Sequence, residues 1–117
     1  MTVYTRLVYY SKFNWTEIDS NIDKKIQIQD IVNKSNVKNK INKIGGDLFI
    51  SQNLLYAKQI LEGEKGLVLK LYDEILNDDR HEIRVMKMKH IDKHLKRYKN
   101  WGMKVRYNTN SFNCEYF

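Results

Sequence analysis

The change in apolar spacing near the middle of the chain constrains its fold more than any other feature. Five apolar residues there recur at helical spacing: Leu67, Val68, Leu71, Tyr72 and Ile75. The segment KGLVLKLYDEILN is therefore predicted to be a helix with one apolar face. The segment just before it, LLYAKQILEG, has the length and apolar content of a buried strand. A strand that leads directly into an amphipathic helix indicates helices packed on a sheet.

Two strands and a helix are predicted before this pair. VYTRLVYYS, residues 3–11, is rich in β-branched and aromatic residues and predicts the first strand. The first helix is predicted from four residues at helical spacing: Ile28, Ile31, Val32 and Ser35. It should begin near residues 22–27 and end near residues 36–40. KIGGDLFIS predicts the second strand, and the dipeptide QN is predicted to join it to the third strand in a tight hairpin.

The segments after the second helix complete the predicted order. EIRVMKMKHI alternates as a fourth strand, DKHLKRYKN is predicted to be a short helix or turn, and WGMKVRY a short fifth strand. The order β-α-β-β-α-β with one extra short strand predicts an α+β, ferredoxin-like fold, a mixed sheet with two helices on one face. Many unrelated functions use this fold, so the fold alone does not predict a function.

Length and hydropathy indicate the broad class of the protein. The chain has 117 residues, the size of one domain, and we expect residues 1–107 to form it and residues 108–117 to be a C-terminal tail. No apolar run approaches the roughly 20 residues that span a bilayer, and the N-terminus lacks the pattern of a signal peptide. These observations predict a cytoplasmic protein with no membrane partner. Cys114 is the only cysteine, so the sequence excludes an internal disulfide.

The positive charge is concentrated in one segment. Residues 84–106 hold nine of the 21 lysines and arginines and one acidic residue, so this segment has a net charge of +8, whereas the whole chain has +7. Together with Tyr98 and Trp101, these cations could contact phosphates and stack a base, as in a nucleic-acid-binding module. The alternation of lysines with Met86 and Met88 is also typical of a half-exposed strand, which is the interpretation that we favour.

Gln59 lies where a buried strand should have an apolar residue. Because side chains alternate along a strand, Gln59 shares a face with Ala57 and Leu61. A buried amide without partners costs about 1–3 kcal/mol. We therefore expect Gln59 to meet a hydrogen-bonding group on another element, a water or a bound molecule.

Five segments occur together in an order that resembles one family. They are RLVYYS, DIVNKSNVKNKINKIGG, QILEG, LYDEILNDDRH and NWGMK. Together they resemble the BLUF domain, a small sensor of blue light that uses FAD. The resemblance extends from Tyr4 to Tyr107. It implies a ferredoxin-like photoreceptor that binds its flavin non-covalently.

The resemblance also implies roles for individual residues. The photoactive residues beside the flavin ring would be Tyr9, Gln59, Trp101 and Met103. The cofactor-binding residues would be Tyr9, Lys38, Asn39, Gln59 and Asp78. Tyr9 would give the excited flavin an electron and a proton, after which Gln59 would form a new hydrogen bond to the ring. FAD is the expected cofactor, and FMN or riboflavin could replace it because the ring carries the specific contacts. Taken singly, Tyr9 is typical of a core and Asn39 of a helix C-cap.

The expected output is a light-dependent contact rather than catalysis. No nucleophile and base are paired in the sequence, so we do not expect an enzyme. Only ten residues follow Tyr107, which predicts signalling to a separate protein partner or through a homo-oligomer. The rival hypotheses are a flavin-free interaction module of the same fold and the basic nucleic-acid-binding module. His90 and His94 are not expected to bind a metal, because His90 ends a strand and a third ligand is missing nearby.

Several positions depart from the family pattern. Glu74 stands where many members carry an arginine or lysine that donates to the flavin's C2 carbonyl, and an ionised carboxylate cannot donate. Gly45 replaces a common threonine, and Asp47 lies in a stretch that is normally apolar. The third strand reaches Gln59 with two extra residues, an even number that keeps the amide facing inward.

Overall fold

The computed structural model describes residues 3–15, 20–92 and 102–109, which form five strands and two helices. In chain order these are β1 (Tyr4–Phe13), α1 (Asn21–Ile41), β2 (Gly45–Ser51), β3 (Tyr56–Glu64), α2 (Lys65–Leu76), β4 (His81–Ile91) and β5 (Lys104–Thr109). The order of elements is the predicted one. Residues 108 and 109, assigned to the tail from the sequence, belong to β5.

The strands form one mixed sheet in the order β4-β1-β3-β2-β5. The two central strands, β1 and β3, are antiparallel, with Tyr9 opposite Gln59. β4 is antiparallel to β1, whereas β5 is parallel to β2. Both helices lie over the face of the sheet that carries Tyr9 and Gln59, since residues of α1, α2 and this face border one cavity. The predicted ferredoxin-like α+β fold is confirmed.

Helix α1 begins with a capping box. The hydroxyl of Ser20 accepts from the backbone N–H of Asp23 at 3.1 Å, and the Asp23 carboxylate accepts from the backbone N–H of Ser20 at 3.3 Å. This reciprocal pair starts the helix at Asn21, slightly before the predicted range. Ile28, Val32 and Asn39 form its buried side.

Helix α2 has the predicted apolar face. Val68, Leu71 and Tyr72 are buried, and Leu67 and Ile75 pack against the core while remaining partly exposed. The helix packs on β3 and β1. Burying one such side chain contributes about 1.5–3 kcal/mol, so this face fixes α2 on the centre of the sheet.

Strand β3 is buried on both of its faces. All residues from Ala57 to Gly63 are buried. Gln59 faces the helices, as predicted, whereas Lys58 and Glu62 lie on the opposite face. There Glu62 forms an ion pair with Arg6, its neighbour across the β1–β3 ladder. Removing one partner of a buried pair costs about 3–5 kcal/mol, so Arg6 and Glu62 depend on each other.

The predicted two-residue hairpin at QN is wrong. The final pair of the β2–β3 ladder is Ile50 with Ala57, so the connection is longer, and β3 begins at Tyr56. Ser51 organises the turn: its carbonyl accepts from the N–H of Leu54 at 2.9 Å, and its hydroxyl accepts from the N–H of Tyr56 at 2.9 Å. Leu54 has a φ of 59°, which is unfavourable for leucine, but its side chain is buried. Burial of Leu54 offsets the backbone strain.

Strand β4 is more exposed than its alternation predicted. Only His81, Ile83 and Ile91 are partly covered. β4 is an edge of the sheet formed by the described residues. β5 begins at Lys104 rather than at residue 101.

Several sequence predictions lie outside the described residues. They concern Trp101, His94, Cys114, the turn DKHLKRYKN from residue 93 onward and the tail from residue 110. Among the helices that the structure describes, neither is long and apolar enough to cross a membrane. Within the same part of the chain, His, Cys, Asp and Glu side chains form no group of three or more that could hold a metal ion.

Candidate functional site

A cavity lies between the two helices and the sheet. Its volume is about 540 Å³, and small-molecule sites typically measure roughly 300–1,000 Å³. The side facing the sheet includes Tyr9, Leu48, Gln59 and, just before β5, Met103. The helices contribute both apolar and polar residues, among them Ile28, Ile31, Lys34, Ser35, Lys38, Leu71, Glu74 and Ile75.

Three buried side chains form a hydrogen-bonded chain along the sheet side of this cavity. The hydroxyl of Tyr9 donates to Oε1 of Gln59, and Nε2 of Gln59 donates to Sδ of Met103 at 3.4 Å. Tyr9 and Gln59 meet because they are opposite residues of the β1–β3 ladder. The amide therefore has a partner at each end, as expected, and its second N–H can serve another acceptor.

The environment of Tyr9 keeps its phenol neutral. Burial raises the pKa of Tyr9 well above the usual value of 10.0, and the nearby Tyr72 and Asp78 act in the same direction. The ring centroid of Tyr9 lies 5.9 Å from that of Tyr72. Because a neutral phenol keeps its proton, Tyr9 is the donor and Gln59 the acceptor in their hydrogen bond.

His81, the first residue of β4, connects three elements beside Tyr9. Its Nε2 lies 2.9 Å from the carbonyl oxygen of Ile75 in α2, and its Nδ1 lies 3.1 Å from the hydroxyl of Ser11 in β1. A carbonyl oxygen can only accept, so Nε2 carries the hydrogen. His81 thus meets a carbonyl in the last turn of α2. Its link to Ser11 was not predicted.

Asp78 borders the cavity in the turn between α2 and β4. Nε of Arg80 donates to its two carboxylate oxygens at 2.9 and 3.0 Å. These hydrogen bonds are the main cause that lowers the pKa of Asp78 below its usual 3.8, while partial burial opposes them. Asp78 is therefore ionised at neutral pH and can only accept hydrogen bonds.

Asn39 has an unsatisfied acceptor in the last turns of α1. Its side chain is fully buried, with Nδ2 3.5 Å from the carbonyl oxygen of Gly102, while Oδ1 has no hydrogen-bond partner within the described part of the chain. Such an acceptor costs about 1–3 kcal/mol. Asn39 is not among the residues that border the cavity, so a bound molecule would reach Oδ1 only if the side chain turned.

Lys38 and Glu74 face each other from α1 and α2 at the cavity. Nζ of Lys38 lies 3.3 Å from Oε2 of Glu74, and the side chains are 59% and 49% exposed. Lys38 therefore compensates the negative charge of the Glu74 carboxylate. An exposed pair contributes only about 0–1 kcal/mol, so Lys38 can exchange Glu74 for another anion at small cost.

The cavity brings together most of the residues that the resemblance implied. Tyr9, Lys38, Gln59, Asp78 and Met103 border it. Asn39 is buried but does not border it. The position of Trp101 lies outside the described residues.

Sequence reasoning missed the supporting roles of Ser11, Asn36 and Arg80. Oδ1 of Asn36 accepts from the backbone N–H of Met103 at 2.9 Å, which holds Met103 beside Gln59. The sequence does indicate a role for Asn36 near the site, because Asn36 lies one helical turn before Asn39 and therefore on the same side of α1. The contacts of Ser11 and Arg80 depend on the path of the turn between α2 and β4, which local sequence does not specify.

The polar groups of the site fit a flavin ring. An isoalloxazine accepts hydrogen bonds at N5 and the C4 carbonyl and donates from N3–H. Gln59 offers an N–H, and Asn39 offers its unsatisfied Oδ1. Apolar residues such as Leu48 and Leu71 suit the faces of the ring.

The sheet with two helices on one face, and a buried Tyr–Gln pair beside a cavity of this size, define an α+β domain with a small-molecule site. The family model described as "Sensors of blue-light using FAD" matches residues 4–104. The chain therefore belongs to the BLUF family and is a blue-light flavin photoreceptor. The resemblance found in the sequence is confirmed.

Solved structures of light-responsive proteins resemble this chain. BlsA in its photo-activated state has a TM-score of 0.75 and 30% identity over 92% of this chain and 71% of BlsA. A bacterial light-regulated adenylyl cyclase has a TM-score of 0.73 and 33% identity over 96% of this chain. BlrP1 of Klebsiella pneumoniae, solved with FMN and cyclic diGMP, has a TM-score of 0.68 over 88% of this chain; at 24% identity this likeness shows the fold alone.

The matched proteins differ in how far they extend beyond the shared domain. This chain covers 71% of BlsA, but only 30% of the cyclase and 25% of BlrP1. The activities of those longer proteins are therefore not transferred to it. The comparison with curated proteins finds no match.

Proposed function

We propose that this chain binds FAD non-covalently in the cavity and converts blue light into a rearrangement of the Tyr9–Gln59 pair. The observation that carries the proposal is the buried hydrogen bond from the Tyr9 hydroxyl to Oε1 of Gln59. This amide has a partner at each end, so it can exchange partners without leaving the cavity wall. FMN, which is present in the BlrP1 structure, shares the ring and is an alternative cofactor, as is riboflavin.

Each proposed contact uses chemistry that its side chain already has. Gln59 would donate to the ring, and Asn39 would turn its Oδ1 toward the ring N3–H. Lys38 would leave Glu74 for the ribityl and phosphate end of the cofactor. Asp78 would accept from polar groups near the ring edge. The role of Trp101 rests on the family resemblance alone.

The proposed switch follows from the loss and return of one proton. A flavin held in the cavity would supply the absorption of blue light, and Tyr9 would give up an electron and then its hydroxyl proton to it and later take both back. When the phenol has lost its proton, its hydrogen bond to Gln59 cannot persist in the original direction, so the amide turns or changes tautomer. Its bond to Met103 changes with it. Because Met103 directly precedes β5, the change reaches an edge strand.

We further propose that the output is non-covalent and not catalytic. Light would alter the affinity of this domain for a separate protein or for a second copy. A strand at the sheet edge offers backbone groups and side chains to such a partner, and a change beside β5 can alter that surface. Size-exclusion chromatography of the flavin-loaded protein, in the dark and under blue light, tests whether light changes its binding to a second copy.

The experiment that tests the photoreceptor is an absorption spectrum of the protein purified with FAD. A yellow protein whose absorption shifts to the red under blue light, and recovers in the dark, is the expected result. Tyr9→Phe should stay yellow without the shift. Tyr56→Phe, which changes a tyrosine that is 42% exposed, is the matched control and should keep the shift. A protein that takes up no FAD would support the flavin-free interaction module instead.

A further inference from the structure

One imidazole holds together the three elements that surround Tyr9. His81 begins β4, donates from Nε2 to the carbonyl of Ile75 at 2.9 Å, and has Nδ1 3.1 Å from the hydroxyl of Ser11. Ser11 follows Tyr9 on the same face of β1 and is 1% exposed. The rings of His81 and Tyr9 pack edge to face, with centroids 6.0 Å apart and planes at 81°. The imidazole therefore has a fixed position beside the phenol.

The two hydrogen bonds of His81 survive a change in its charge. The carbonyl of Ile75 only accepts, so Nε2 donates to it in both protonation states. The hydroxyl of Ser11 donates to Nδ1 when the ring is neutral, and accepts from Nδ1–H when the ring is protonated. Protonation thus requires only rotation of this hydroxyl. A neutral and a positive ring can occupy the same position.

We propose that His81 is a positioning residue for the photochemistry of Tyr9, and that the charge of its imidazole sets how readily Tyr9 gives up an electron. This inference rests on the proposed function, in which the electron and the proton pass from the Tyr9 phenol to the flavin and later return. A neutral imidazole holds Tyr9 in place without opposing the transfer. A protonated imidazole puts a positive charge close to the phenol ring, and that charge opposes the loss of an electron.

Three ionisable side chains near His81, namely Asp78, Tyr9 and Tyr72, keep the same charge near neutral pH. Hydrogen bonds from Arg80 are the main cause of the low pKa of Asp78, which stays ionised. Burial raises the pKa of Tyr9 and of Tyr72 on α2, so both phenols stay neutral. The imidazole of His81 packs against the ring of Tyr9, so protonation of this imidazole changes the charge beside the phenol.

The test compares one titration midpoint measured in two independent ways. In flavin-free protein with ¹⁵N-labelled histidine, the ring nitrogen shifts give the tautomer of His81 and the midpoint of its protonation. In FAD-loaded protein, the quantum yield of the red shift is measured from about pH 5 to 8. We expect the yield to fall by a factor on the order of 3–10 through the same midpoint as the pH is lowered. A red shift whose yield is constant across that midpoint overturns the inference.

Matched variants separate the charge of His81 from its structural role. His81→Gln keeps a donor for Ile75 and an acceptor for Ser11 but cannot be protonated, so its yield should stay high and lose its pH dependence. His90→Gln, near the other end of β4 and opposite Thr5, should keep the wild-type profile. Where His81→Gln does not fold, Ser11→Ala replaces it and should shift both midpoints together. Midpoints that move apart contradict the inference.

Failure of the proposed function gives a different result. If the wild-type protein binds no FAD, or shows no red shift at any pH, the proposed photoreceptor function is wrong. This result would not contradict the geometry at His81. In that case the ¹³Cζ resonance of Tyr9 is followed in flavin-free protein during the titration of His81. A resonance that follows the His81 midpoint supports the electrostatic contact, and one that does not overturns it.

Discussion

At the scale of single residues, flavin affinity depends on charges that contribute little to the fold. Glu74 and Lys38 form an exposed ion pair at the cavity. Such a pair contributes about 0–1 kcal/mol, so replacing Glu74 should leave the protein folded. In the proposed complex, a carboxylate at this position would repel the phosphates of FAD and could not donate to a ring carbonyl. A guanidinium would attract the phosphates and could donate.

Glu74→Arg is therefore expected to bind FAD about tenfold more tightly than the wild type, the effect of one charge-assisted hydrogen bond. Glu74→Gln removes the negative charge without adding a donor of the same strength, and should give a smaller gain. Titration of flavin fluorescence at two salt concentrations gives the Kd of each variant. An arginine variant that binds no better than wild type would show that residue 74 does not approach the bound flavin.

At the scale of elements, the contact between β2 and β3 requires one residue without a side chain. A β-carbon on Gly46 would lie 1.9 Å from the backbone carbonyl oxygen of Ile60. The strands would have to separate to admit it. Gly66, in the first turn of α2, has open space around its Cα. Glycine in a helix costs about 0.5–1 kcal/mol relative to alanine.

Gly46→Ala is expected to lower the free energy of unfolding by about 3 kcal/mol or more, because a backbone atom must move. Gly66→Ala makes the same chemical change in open space and should raise it by up to about 1 kcal/mol. Urea unfolding of the two variants and the wild type measures both effects. Similar losses in both variants would contradict the close approach of β2 to β3.

The elements that sequence could predict are those defined by local periodicity. The apolar stripe of α2 and the inward position of Gln59 follow from counting residues, and both are confirmed. The turn at Leu54 could not be predicted, because its unfavourable φ is offset by burial against distant residues. Likewise, the pairing of Lys38 with Glu74 depends on the distance between α1 and α2. Apolar patterns do not encode that distance.

At the scale of the whole molecule, one buried phenol links stability to pH. Burial raises the pKa of Tyr9 above its value of 10.0 in an unfolded chain. The folded protein therefore holds this proton more tightly than the unfolded protein does. This difference between the two states stabilises the fold fully below about pH 10. The stabilisation is lost as the pH rises toward the pKa of Tyr9 in the folded state. Each pH unit in that interval can cost up to about 1.4 kcal/mol.

The difference in unfolding free energy between wild type and Tyr9→Phe is expected to shrink between about pH 10 and 11. Tyr9→Phe also removes the hydrogen bond to Gln59. This removal changes the free energy of unfolding by the same amount at every pH below 10, so it does not produce a pH dependence there. Chemical denaturation of the flavin-free proteins at pH 9, 10 and 11 measures the difference, in which the other tyrosines cancel. Parallel curves would show that Tyr9 ionises as easily in the folded state as in the unfolded state.

The enclosure of β3 on both faces links correct strand registry to the response to light. If β3 slipped by one position, Gln59 would enter the charged face of the sheet, and Lys58 would enter the cavity. The slipped protein would lack the amide beside the Tyr9 hydroxyl, so flavin in the sample would remain unbound and its spectrum would not shift to the red under blue light. Return of this light-induced shift during refolding would then report the alignment of the central strands without any added probe.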